Sequence, residues 1–190
     1  MRALAAGVLV ALVCAIAGTF VVLRGLAFIG DALAHGVLPG VAGALLLGAP
    51  GIVGAAIGSA VMIAGVDLIT RRSRLSSDTA IGLLFVGMLA LGVIIVSRSD
   101  SFTGDIVRIL FGELLGVDRG DLLLLVGALV VVGGASAVLA RPFLLLCYDP
   151  EQADVAGFGS ARSHVAMLVL VATAVVVSFQ AVGTLLVFGM

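Results

Sequence analysis

The sequence has no lysine and no tryptophan, a single tyrosine, two cysteines and four prolines, and its ten basic and eleven acidic residues amount to only 11% charge. Each shortage excludes something. Without lysine there is no G-x-x-x-x-G-K loop to reach nucleotide phosphates, and Schiff-base chemistry on a lysine amine is excluded as well. A formal net charge of −1 gives no basic field for nucleic acid. Cys14 and Cys147 lie too far apart in the chain for a C-x-x-C site, and two such residues make no disulfide framework. Soluble domains carry about 25% charged residues and roughly half apolar ones. Here 62% of the residues are hydrophobic and the mean hydropathy is +1.35. A domain of 190 residues has no interior large enough to hide that much apolar surface from water. The bilayer is the solvent that fits this composition.

What is present matches that solvent. Apolar segments at 3–23, 26–47, 52–70, 79–97, 121–140 and 165–190 are each near the ~20 residues a spanning helix needs. The expectation is an all-α, polytopic transmembrane helix bundle of about six spans, forming a single domain over 1–190. The 26 glycines and the pair Gly54 and Gly58 point to close helix packing. A cleavable leader ending near Ala15-Ile16-Ala17 is the rival reading of the first segment, but the apolar run continues to Leu23 and a second follows at once. Placing Arg71, Arg72 and Arg74 in the cytoplasm puts Arg24, Arg141 and Arg162 there too, with Arg2, Arg98, Arg108 and Arg119 outside, a bias in the direction of the positive-inside rule. The sequence stops at Met190 within an apolar run, which reads as a chain cut short.

A few polar residues interrupt this pattern. Asp31 and His35 stand four apart, on one face of a helix and one turn from each other. An aspartate at a helix centre in lipid costs about 2.5–3.5 kcal/mol on insertion scales, so it needs a partner or a role. Carboxylate and imidazole together suit zinc or manganese. Pro39, four residues beyond His35, has no N–H to give the His35 carbonyl, which leaves a third polar group nearby. The plainer alternative is that Asp31 caps a helix at the membrane surface and His35 merely pairs with it. In the stretch 148–157, Asp149 suits an N-cap, Pro150 the first helical position, Gln152 the reciprocal place of a capping box and Gly157 the residue past the end. That spells a cytoplasmic helix of about two turns, too short to stand alone in water. It is either a helix resting on the membrane or a docking piece for a partner subunit. Residues 102–117 place Ile106, Ile109, Leu110 and Leu114 at helical spacing, as in an interfacial helix. Ser76 to Thr79 reads as a helix start, and Asp67 pairs with Arg71 one turn on.

Four of these stretches resemble, in order, the permease subunits of ABC importers for zinc, manganese and related divalent metals: RGLAFIGDALAHGVLPG at 24–40, SDTAIGLLF at 77–85, LFGELLGV at 110–117 and DPEQADVAG at 149–157. The resemblance implies a non-catalytic transport subunit in the bacterial plasma membrane, working as a homodimer with a second permease copy, an ABC ATPase and an extracytoplasmic metal-binding protein. It implies that Asp31 and His35 lie on the path of the transported metal, with no permanently bound cofactor, and that Asp149, Pro150, Glu151, Gln152, Ala153, Asp154 and Gly157 dock the ATPase. Members of that family continue through further helices beyond the position of Met190. The competing function is an ion- or proton-coupled carrier or channel without an ATPase, which leaves the capped cytoplasmic helix unexplained. An intramembrane hydrolase is disfavoured, since neither G-x-S-x-G nor H-E-x-x-H occurs.

The topology is directly testable. Cysteines introduced at Ser73 and Gln152 in a background lacking Cys14 and Cys147 are expected to react with a membrane-impermeant maleimide only from the cytoplasmic side, and one at Ala49 only from outside.

Overall fold

The computed structural model describes residues 2–26, 28–73, 75–97 and 119–182, with the backbone alone for Arg119 and for 179–182. The interfacial helix expected over 102–117, the 110–117 motif within it, Arg74 and the end of the last apolar segment lie outside the described residues. Nine helices are described: α1 (Arg2–Arg24), α2 (Ile29–Gly36), α3 (Leu38–Leu46), α4 (Gly51–Arg72), α5 (Ser77–Ser97), α6 (Arg119–Val138), α7 (Ala140–Tyr148), α8 (Pro150–Val155) and α9 (Ser160–Val182). Among the described residues, six stretches are long and apolar enough to cross a membrane: α1, α2 with α3, α4, α5, most of α6 and most of α9. They coincide with the six expected from the sequence, with shifted ends. Residues 141–164, between the fifth and sixth apolar segments, are largely helical. After a break at Leu139 the chain forms α7, which buries Pro142, Phe143 and Leu146, and α9 starts at Ser160 rather than near 165.

The bundle is organised around two elements. The second span, α2 with α3, is the most enclosed, with 56% of its residues buried, and α9 follows at 50%. α9 touches α1, α2, α4, α6, α7 and α8. The α1 stripe Ala6, Val10, Val13, Ala17 and Phe20 recurs every three to four residues and faces α6 and α9. One buried cluster joins Ile29, Ala32 and Leu33 of α2 to Met167, Leu168 and Val171 of α9. At the end of α1 the Phe20 and Phe143 rings meet edge-on at 5.1 Å, and the Arg24 guanidinium donates to the Leu146 carbonyl, fastening α7 to α1.

The tightest contact lies where α3 crosses α4. There the sequence places Gly36 and Gly40 against Gly54 and Gly58, and backbone meets backbone. A Cβ on Gly40 would overlap the Gly54 carbonyl oxygen and come within 2.9 Å of the Gly58 nitrogen. A Cβ on Gly54 would in turn strike the Gly40 carbonyl, and one on Gly58 would lie 3.2 Å from the Gly36 and Val37 carbonyl oxygens. Lipid tails are as apolar as leucine, so such a contact is held by close van der Waals packing rather than by exclusion of water. Beside it, the second span breaks between α2 and α3. Pro39 falls at the start of α3, where its missing N–H is tolerated. Gly92 of α5 lies against the break, since a Cβ there would sit 3.4 Å from the Pro39 ring.

Gly40→Ala should therefore lower the unfolding midpoint of the purified protein, with an overpacking cost of about 1–3 kcal/mol. Gly43→Ala, three residues on, where a Cβ meets nothing within 4 Å, should hold or slightly raise the midpoint, since alanine is the better helix former. Thermal unfolding of both variants in one detergent measures the difference.

Candidate functional site

Asp31 and His35 are brought together as the sequence spacing required. The His35 Nε2 lies 3.2 Å from an Asp31 carboxylate oxygen along one face of α2. His35 sits six residues, about 9 Å, from the start of the span. Asp31 does not cap α2, because the N-cap is Phe28, which makes no side-chain capping bond. Its place in the first turn does set a negative charge at the positive end of the helix. The His35 ring is held edge-on against Phe85 of α5, with centroids 5.7 Å apart. Its Nδ1 is buried, with no hydrogen-bond partner among the described residues. The two side chains keep 27% and 30% of their surface exposed for His35 and Asp31, so the pair is not sealed inside one copy of the chain. No group of three or more histidine, cysteine, aspartate or glutamate side chains able to hold a metal is found among the described residues.

A groove of about 610 Å³ runs between α4 and α9, lined by Ala56, Ala60, Ile63, Val169, Ala172 and Val176 among others. Asp31 and His35 do not line it. Its polar groups are already engaged: Ser59 and Thr173 donate to carbonyls on their own helices, and the Asp67 carboxylate meets Arg71 at 2.8 Å as the sequence suggested. Capping explains less of the start of α5 than the sequence implied. Ser76 accepts from the Thr79 N–H at 3.2 Å, whereas one Asp78 carboxylate oxygen is buried without a hydrogen-bond partner.

The segment 149–158 is built from both ends. The Asp149 carboxylate accepts from the Glu151 and Gln152 N–H groups at 2.9 and 3.3 Å, which starts α8 with Pro150 in its first turn. The capping box expected of Gln152 is preempted, because the Asp149 N–H already donates to the Leu145 carbonyl in the last turn of α7. The far end is a Schellman turn: Phe158 N–H donates to the Ala153 carbonyl and Gly157 N–H to that of Asp154, with Gly157 at φ +81°. Ala153 is the only fully buried side chain of α8. Glu151, Gln152 and Val155 face outward, and Val155 and the preceding Tyr148 are more than 80% exposed. Asp154 is turned to a different use. One of its carboxylate oxygens accepts from the Ser160 N–H, and the other from the Ser160 hydroxyl at 2.8 Å. Those two bonds hold the Asp154 carboxyl below the ordinary aspartate range. A carboxyl depressed by folding stabilises the fold above its unfolded value and loses that effect only as pH falls through the lower folded value, so the link is complete at neutral pH.

The model of the ABC 3 transport family matches residues 1–190. The chain belongs to the ABC 3 transport family. It is a multi-pass protein of the bacterial inner membrane. Over its full length this ABC 3 chain is 35% identical to the manganese transport system membrane protein MntC of Halalkalibacterium halodurans, of which it covers 65%. It is also 35% identical to the chelated iron transport system membrane protein YfeD of Yersinia pestis, covering 63% of that protein. PsaBC from Streptococcus pneumoniae, solved in complex with a Fab, superposes with a TM-score of 0.80 at 32% identity, over 98% of this chain and 67% of that one. The ABC 3 chain thus spans about two thirds of the length of the relatives it matches. Their names speak of manganese and iron and not of zinc.

Spacing exposed the Asp31–His35 pair and the Asp149 cap. It missed the tie from Asp154 to Ser160, whose only sequence signal is a serine six residues after an aspartate, just beyond two glycines. Asp149→Ala should cost the α8 start about 1 kcal/mol, and amide exchange at Glu151 and Gln152 is the measurement that registers it, as a rise of about fivefold.

Proposed function

We propose that the chain is the membrane-spanning permease subunit of an ATP-driven importer for a divalent transition metal, with Asp31 and His35 on the path of the ion. The observation that carries this reading is the contact between these two side chains, both able to ligate a metal ion, on the most enclosed span of a bundle otherwise made of apolar helices. A bare carboxylate or imidazole facing lipid is costly, and both side chains are partly exposed on one copy of the chain. A second copy placed against this face removes them from lipid. It also supplies what one copy lacks: two side chains fall short of the four that a tetrahedral metal site needs, and two copies bring two carboxylates and two imidazoles.

The donor set is one oxygen and one nitrogen ligand per copy, with borderline softness, which suits manganese, iron or zinc in passage. A metal at the His35 Nε2 requires the tautomer with its proton on Nδ1. Weak, mutable binding is what a path needs, because the ion must also leave. The relatives' names favour manganese or iron as cargo. The metal is substrate here, and no resident cofactor is part of the reading.

At the cytoplasmic face, α8 is the docking piece for a separate ABC ATPase, fixed between its Asp149 cap and Gly157 stop, anchored by Ala153 and reached through Pro150, Glu151, Gln152 and Val155. An extracytoplasmic metal-binding protein delivers the ion to the opposite face. ATP binding and hydrolysis on the partner then shift the bundle between two states open to opposite sides. Hydrolysis itself belongs to that partner, in keeping with a chain that lacks the phosphate-binding lysine.

In the assembled transporter, Asp31→Ala and His35→Ala should each reduce uptake of radioactive manganese by about tenfold or more, while the ATPase still co-purifies with the permease. Wild-type uptake in both variants overturns the assignment of the pair. Competition by iron and zinc in the same assay ranks the cargo.

A further inference from the structure

We infer that Asp154 is a positioning residue: its two-pronged grip on Ser160 makes the docking helix α8 and the central helix α9 move as one body, so that motion at the cytoplasmic face reaches the Asp31–His35 pair. This deepens the proposed function and rests on its reading of α8 as the ATPase-docking element.

The geometry is specific. α8 has six residues and a single fully buried side chain, Ala153, so apolar packing alone holds it loosely. Towards α7 it is tied through Asp149. Towards α9 the chain passes through Gly157 at φ +81° and Gly159 at φ +66°, two glycines in the left-handed region on either side of Phe158. A short link of that kind is a hinge unless something spans it. Asp154 spans it, taking both donors of Ser160, the backbone N–H and the hydroxyl, on its two oxygens. Ser160 is the first residue of α9, where the backbone N–H has no partner within the helix. The carboxylate also places negative charge at the positive end of α9. Across the hinge, α9 runs into the buried cluster where Met167, Leu168 and Val171 pack with Ile29, Ala32 and Leu33, the residues that flank Asp31 and His35 on α2. A push on α8 therefore passes to α9 through these two hydrogen bonds, beside the Phe158 backbone, which is bonded to Ala153 on one side and to the Ser163 hydroxyl on the other, and then through side-chain packing to α2. With both carboxylate oxygens engaged, Asp154 serves this link rather than contact with the ATPase.

Ser160→Pro separates these roles, since proline deletes both donors and suits the first position of a helix. In the full transporter reconstituted in proteoliposomes, Ser160→Pro should retain the ATPase and its ATP hydrolysis while manganese taken up per ATP hydrolysed falls about tenfold. Asp154→Ala should show the same fall in that ratio, and the double variant no further one, because the two residues act through a single link. Ser160→Thr keeps both donors and should behave as wild type. Ser160→Ala loses only the hydroxyl and should fall about threefold, a readout that remains if the proline variant does not accumulate. A wild-type uptake ratio in Ser160→Pro or Ser160→Ala, or additive losses in the double variant, overturns the link. Loss of the ATPase from the unaltered chain strikes instead at the docking reading on which the link rests.

Discussion

The crossing of α3 over α4 is the constraint from which the positions of the other elements follow. Gly40 and Gly54 bring two backbones into contact with no side chain between them. That approach locks the second span into the middle of the bundle, with α5 closing on it at Gly92 and α9 on its other side. Because α2 and α3 form one span, fixing α3 also fixes where α2 presents Asp31 and His35. The polar pair does not hold the bundle together. It occupies a position that close packing elsewhere has already determined.

The two ends of the chain's chemistry are built on different principles. The Asp31–His35 pair lies on the most enclosed span, where ring packing by Phe85 limits the rotamers of the imidazole. The α8 segment lies in the aqueous region, where a single exposed hydrogen bond is worth little. Its shape comes from several local bonds acting together: the Asp149 cap, the Schellman turn and the Asp154–Ser160 tie. The element that touches both the α2 helix and α8 is α9, which connects these two ends.

Much of this was legible in the sequence because it is governed by short-range rules. Hydropathy over windows of ~20 residues is enough to find spans, since the bilayer forces each to satisfy its own backbone. Spacing of four was enough to pair Asp31 with His35 and Asp67 with Arg71. The small-residue pair Gly54 and Gly58 announced a close contact, but not that Gly36 and Gly40 would be its other half, because helix partners are chosen by tertiary packing. The same limit explains α7. Residues 141–148 look too polar at their start and too short to be a span, and only the Phe20–Phe143 contact and the Arg24 bond to Leu146 show why they remain helical. The capping box failed for a related reason. A neighbouring helix had already claimed the Asp149 N–H, and composition carries no record of that competition.

The second span contains 18 residues, about 27 Å of helix if straight, whereas α1, α4 and α5 have 21 to 23. A hydrocarbon layer is about 30 Å thick, so a lone helix of that length would have to thin the membrane around it or pull in its flanking groups. Here the short span is the one most enclosed by protein, so its shortfall in length is met by neighbouring helices rather than by the bilayer.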